Sequence, residues 1–262
     1  MEGTKQTTLV VNVGNTAISF ATFEGENMGR FKRLFLRGLG DSEEAWREVF
    51  EPERLGEIRA SIIGSVNPCA HRTLSGYLKR WTRAPVFICG ENFEFPMKTR
   101  VREPQAVGVD RLANALASFE MIKGPVLVAD FGTAVTFDFV NGEGVFEGGL
   151  IFPGIGLAAL SLQEHTRKLP LVTPGKTEVL IGRDTVEAIQ AGLYWGYRSL
   201  AERLAEKLRL ELQVPLRMVA TGGDAELITS GLRHPFLLRP YLTLEGLRLA
   251  LLTRPIHEKT ES

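Results

Sequence analysis

Cysteine is scarce in this chain: 262 residues hold two, Cys69 and Cys89. Both stand in apolar contexts at a spacing that suits no metal. That excludes a disulfide framework and predicts buried, reduced thiols in a cytoplasmic protein. Histidine is equally thin, with four residues scattered along the chain, so no zinc-ligand pair is spelled out. Neither sign of charge is in excess, since 31 basic residues face 31 acidic ones. Such a balance removes the electrostatic ground for nucleic acid or an anionic membrane surface as a partner. No apolar run approaches the length of a bilayer span, and residues 1–9 carry no signal-peptide pattern. What remains is an ordinary globular composition, with length enough for one large domain or two medium ones.

A hairpin pattern occurs twice. Near the start the chain reads LVVNVGNTAISFATFEGE, and halfway along it reads LVADFGTAVTFDFVNGE. With one residue of slip after the glycine, Thr16, Ala17, Ile18, Ser19 and Phe20 lie over Thr133, Ala134, Val135, Thr136 and Phe137. Asn12 then stands where the second copy has Asp130. The match includes polar and glycine positions as well as apolar ones, which points to internal duplication. β-Branched and aromatic runs predict strands at 8–13 and 17–23, joined at Gly14 and Asn15. Further strands are expected at 59–66 and 85–89, with amphipathic helices at 42–50 and 72–81. Asp110 precedes RLANALASFEMI and reads as a helix N-cap. In the second half, strands are expected over 126–151 and at 216–220, and helices over 157–166 and 244–252. A long helix opens at DTVEAIQ, where Asp184 and Glu187 have capping-box spacing. The fold expected is α/β, with domains at 1–116 and 117–262.

A strand that ends in Asp/Asn-x-Gly puts a polar side chain at the rim of a sheet, beside a glycine that lets a ligand approach the backbone. Thr16, Ser19, Thr133 and Thr136, with nearby N–H groups, can line an anion-binding concavity. Two such turns would clamp a polyphosphate, and Asp130 could hold a cation beside it. The competing reading is a pair of tight turns whose Asn and Asp bond only their own backbone. TGGD at 221–224 offers donors at a strand-to-helix corner. Two better-known phosphate motifs fail. PGKT at 174–177 has Pro170 where a P-loop needs glycine. GIGLAA at 154–159 fits G-x-G-x-x-A but follows Pro153 and lacks the second strand of a dinucleotide fold. In GVDR, Asp110 can accept a proton from a substrate hydroxyl while Arg111 holds an anion.

Together these stretches resemble the type III pantothenate kinase family, within the superfamily of actin, sugar kinases and chaperone ATPases. The resemblance rests on NVGNT at 12–16, GVDR at 108–111, DFGTAVTFD at 130–138, GGLIFPGIGLAALSLQEHTRKLP, IGRDTVEAIQAGLYWG, TGGDAELI and YLTLEGL. It implies two duplicated ribonuclease-H-like domains around a central cleft, and a homodimer. The implied activity is transfer of the ATP γ-phosphoryl group to pantothenate, the first step towards coenzyme A. By the same resemblance Asp110 is the general base, and Gly108, Val109, Asp110, Arg111 and Thr185 hold pantothenate. Asn12, Val13, Gly14, Asn15, Thr16, Ala17, Ile18, Ser19 and Thr133 hold ATP with its Mg²⁺. Asp130 binds a monovalent cation, K⁺ or NH₄⁺.

The chain departs from the family pattern at two places. The aspartate of the first turn is Asn12, and the Tyr-x-Asn-Pro stretch is Val101, Arg102, Glu103 and Pro104. Loss of a charge beside the metal keeps an alternative open, a weak or inactive paralogue that binds nucleotide or pantothenate and acts in regulation.

Overall fold

The computed structural model describes residues 7–37, 42–51 and 58–253. By its contacts the chain divides into two compact units. The first comprises Met1–Lys98, Arg102–Ala117 and Leu242–Ser262, and the second Thr99–Val101 and Ser118–Tyr241. The sequence reading gave everything after residue 116 to one domain; the contacts return the terminal helix to the first unit.

In the first unit β1 (Thr7–Val13), β2 (Ala17–Glu24) and β3 (Asn27–Phe35) form an antiparallel meander. β4 (Ile58–Ser65) and β5 (Val86–Ile88) add parallel strands, giving the order β3-β2-β1-β4-β5. β3 is absent from the sequence expectation because Arg30, Lys32 and Arg33 interrupt its apolar alternation. Charges suit an edge strand, where Arg30 and Lys32 both pair with Glu51. Alternation along β1 feeds two cores. Leu9, Val11 and Val13 pack with Phe20, Trp46 and Phe50 under α1 (Glu43–Phe50) and α2 (Pro68–Trp81). Val10, Ala21 and Ile62 face the other way, against Ala113 and Leu116 of α3 (Val109–Ile122) and Leu244 and Leu247 of α7 (Leu242–Leu252). Ser42 and Asn67 cap α1 and α2, accepting from Ala45 N and Ala70 N.

α7 meets α3 through a glycine. A Cβ built on Gly246 would lie 1.9 Å from the Ala113 carbonyl oxygen, a backbone atom with nowhere to move. Gly246→Ala is expected to destabilise the protein by roughly 1–3 kcal/mol, as overpacked cores do, lowering the melting temperature by several degrees. A variant that melts like wild type would contradict this packing.

The second unit repeats the plan. β6 (Val126–Phe131), β7 (Ala134–Val140) and β8 (Phe146–Pro153) form the meander, and β9 (Arg217–Thr221) and β10 (Leu237–Leu238) run parallel to β6. The order β8-β7-β6-β9-β10 is that of the first sheet. Registers coincide as well: Asn12 pairs with Ser19, and Asp130 with Thr136. The duplication read from sequence is therefore a duplication of hydrogen-bonded structure. Leu127, Ala129, Phe131, Val135 and Phe137 cover α4 (Ile155–Glu164), α5 (Thr185–Leu212) and α6 (Ala225–Thr229). The apolar stripe of α5 holds, with Ile189 and Leu193 buried and Leu200, Leu204 and Leu208 packed on the same core. Among the described residues no helix is long and apolar enough to cross a membrane.

Candidate active site

The first turn closes β1 onto β2: Gly14 N donates to the Ala17 oxygen at 2.9 Å. Leu36 N donates to the Thr16 oxygen at 2.8 Å, and Val66 N to the Val13 oxygen at 3.0 Å. Asn15 and Thr16 are exposed at its tip. Val13 and Ile18 are core side chains, so only their main chain is open to a ligand. Asn12 and Ser19 sit half-buried and paired across the strands. Among the described residues the Asn12 amide has no hydrogen-bond partner, so it is not spent on its own turn.

GVDR stands where α3 begins. Asp110 is not the N-cap expected from sequence; it is the second residue of the helix. Gly108 takes the cap position, its carbonyl accepting from Arg111 N and Leu112 N at 3.1 and 3.2 Å. The Asp110 carboxylate accepts from Arg111 N at 2.8 Å. A Cβ on residue 108 would fall 2.6 Å from Asp110 Oδ1. Burial pushes the Asp110 carboxyl above the ordinary carboxylate value, against the lowering effects of the Arg111 N–H and guanidinium. This is the environment that makes an aspartate a better proton acceptor near neutral pH.

In the second unit Gly132 N donates to the Ala134 oxygen at 3.2 Å, and Thr133 is exposed at the tip. TGGD closes over the end of β6, with Asp224 N donating to the Phe131 oxygen at 3.1 Å. Gly222 has φ +96°. Its Cβ would lie 2.4 Å from the Phe131 carbonyl carbon and 2.6 Å from Asp130 Oδ1. Residue 222 must therefore be glycine for both conformation and space. A Cβ on Gly132 would lie 3.2 Å from the same oxygen, Asp130 Oδ1. Both glycines bring main chain close to this oxygen, so any group held at Asp130 meets backbone as well as carboxylate.

GIGLAA is not a dinucleotide motif. Gly154 caps α4 and donates to the Thr133 oxygen at 2.9 Å, and the strand before it, β8, is an antiparallel edge. Thr185 opens α5. The cap Asp184 accepts from Glu187 N at 2.9 Å, and Glu187 reaches back to Arg183 N, one residue before the cap. Exposed Thr185 lines an apolar cavity of about 410 Å³ with Leu162, Leu169, Ala188, Ile189, Gly192 and Leu193. Val101 stands 3.6 Å from a Cβ position on Gly148, and Glu103 is exposed. The cysteines are free thiols. Cys69, expected buried, is exposed on the first turn of α2, whereas burial pushes the Cys89 thiol up to about 12. Sequence reasoning assigned no role to Thr221 or Asp138. Alternation along β7 places Asp138 on the face of Thr136, whereas Thr221 joins Asp130 only through the pairing of β6 with β9.

The profile of the type III pantothenate kinase family matches residues 8–207. A type III pantothenate kinase of Acidiphilium cryptum is 36% identical over 252 residues, covering 94% of this chain and 95% of that one. The Geobacter sulfurreducens enzyme of the same name is 35% identical, covering 92% and 96%. Among solved structures, an activator of 2-hydroxyisocaproyl-CoA dehydratase from Clostridium difficile with bound ADPNP superposes with TM-score 0.55 at 11% identity, covering 98% and 100%. A ROK family glucokinase from Streptomyces griseus, in complex with glucose and AMPPNP, gives 0.50 at 15%, covering 94% and 99%. These last two likenesses are likenesses of fold.

Proposed function

Because the chain belongs to the type III pantothenate kinase family, we propose that it transfers the γ-phosphoryl group of ATP to the primary hydroxyl of pantothenate. One observation carries the reading: 36% identity to an enzyme of that name across 94% of the chain is joined to a half-buried Asp110 whose carboxyl is raised by burial. Asp110 accepts the hydroxyl proton as the oxygen bonds to the γ-phosphorus, and the bond to the β,γ-bridging oxygen breaks to release ADP. Gly108, Val109, Arg111 and Thr185 hold pantothenate, with the Arg111 guanidinium as the cation for its carboxylate. The turn from Asn12 to Ser19 and the tip at Thr133 bind ATP phosphates through backbone N–H and hydroxyl groups. Such positioning accounts for most of the catalysis of a loose phosphoryl transfer.

Mg²⁺ and a monovalent cation, when bound, would supply charge neutralisation for the phosphate groups; Asn12 would stand beside the first and Asp130 would hold the second. A single carboxylate flanked by glycines fits a singly charged ion, and the neutral Asn12 amide fits a water of the hydrated magnesium. The compartment consistent with two free thiols is the cytoplasm. A coupled ADP-release assay with Mg-ATP and potassium tests the reaction: turnover should require pantothenate, and its absence would refute the proposal.

The chain works as a homodimer. Leu180 and Ile181 are 71% and 82% exposed, next to exposed Val186 and the Thr185 cavity. Apolar side chains this open are characteristic of a surface that meets a partner. Ile181→Asp is expected to shift sedimentation from dimer to monomer; an unchanged species would place the interface elsewhere.

A further inference from the structure

The three strands that meet at Asp130 carry a row of oxygen side chains. Asp130 of β6 pairs with Thr136 of β7 on one side and with Thr221 of β9 on the other. Residues paired in register share a face, so all three side chains stand on the face opposite the core under α4 and α5. Asp138, two residues along β7, stands on that face too.

The chemistry of the row is selective. Thr136 donates its hydroxyl proton to Asp138 Oδ2 at 3.2 Å, and Asp138 is 1% exposed. A hydroxyl has one proton, so towards Asp130 Thr136 presents only lone pairs. Lone pairs beside a carboxylate repel a phosphate oxygen and attract a cation. Thr221 is 3% exposed, and among the described residues its hydroxyl has no hydrogen-bond partner. That leaves its oxygen available to a ligand on this face. One carboxylate and two neutral hydroxyl oxygens give a hard, singly negative donor set, suited to a monovalent ion.

The first unit supplies an internal control. Its equivalent row is Gly64, Asn12 and Ser19, with the same pairings. There the place of Thr221 is a glycine, because Leu247 of α7 occupies the space: a Cβ on residue 64 would lie 2.7 Å from Leu247 Cδ2. That row has neither the carboxylate nor the third oxygen. The two copies of the hairpin have therefore diverged in chemistry.

We infer that Thr136 and Thr221 complete the monovalent cation site around Asp130, and that Asp138 is a positioning residue that fixes the Thr136 proton. Thr136 is thus a cation ligand and not part of a phosphate concavity. The inference rests on the reading of Asp130 as a cation ligand, and the two are separable. Melting midpoints of the full chain with Mg-ADP are followed in rising KCl, with choline chloride holding ionic strength constant. Wild type should rise to saturation by preferential binding to the folded state. Thr136→Val and Thr221→Val keep shape and lose the oxygen. Each should need roughly 3- to 10-fold more potassium for half the rise, the worth of one polar contact. The serine variants should respond like wild type, and Asp130→Asn should not respond. Wild-type half-saturation in both valine variants, with Asp130→Asn unresponsive, overturns the threonine assignment alone. A full response in Asp130→Asn, or none in wild type, overturns the cation reading beneath it.

Discussion

Asp110→Asn is expected to lower kcat/KM for pantothenate by about 10³- to 10⁴-fold, towards the upper end of what a general base contributes. Asparagine keeps the size of the side chain and can still accept from Arg111 N, so the helix start is preserved. What disappears is the proton acceptor. The pH profile provides a second check. Burial raises the Asp110 carboxyl in the folded protein. The active, ionised form is therefore lost as pH falls through a value above the ordinary carboxylate range, and the acid limb of kcat/KM should lie there.

The same raised value has a consequence for stability with the opposite sense. A group whose folded pKa exceeds its unfolded one binds protons more tightly when folded. Its favourable contribution is present below the unfolded value and is lost as pH rises through the folded one. At neutral pH the ionised Asp110 is thus a cost to the fold. Asp110→Asn should melt at a higher temperature than wild type at pH 7, with the gap closing in acid. Lost activity with gained stability would separate a catalytic carboxylate from a structural one.

Asn12→Asp is expected to raise kcat by about 10- to 10³-fold, since a full charge beside the metal is worth about one to a few kcal/mol of transition-state stabilisation. The Asn12 amide is half-buried and, among the described residues, unbonded, so the carboxylate has room without breaking an existing contact. Initial rates at saturating ATP measure the change. A rate equal to or below wild type would mean that the neutral amide already fulfils the role of this position.

Much of this was legible in the sequence, and the parts that were not have physical reasons. Strands whose faces are both buried announce themselves, as β1 and β6 do with the apolar runs LVV at 9–11 and VLVA at 126–129. β3 does not, because an edge strand carries charges where a central one carries valine. The start of α3 was displaced by two residues: Asp110 has the chemistry of a cap, but the backbone turns at Gly108, where a side chain would strike the carboxylate. The terminal helix was given to the wrong neighbours because it follows the second half in sequence, whereas its Leu244 and Leu247 fill the core beside β1 and β4. Asp130 was readable as a site residue from the repeated turn alone. Thr221 was not, since it lies 91 positions away in the chain and reaches Asp130 only through the parallel register of β6 and β9. Pairing of that kind is a property of the sheet.

The reaction itself is the central claim, and product identity tests it most directly. Purified protein is incubated with pantothenate, Mg-ATP and potassium, and the mixture is resolved by mass spectrometry. Phosphopantothenate, one phosphoryl group heavier than the substrate, should form in equal amount to ADP with wild type, and fall to trace levels with Asp110→Asn. ADP without the phosphorylated product, or equal product from both proteins, would contradict the account.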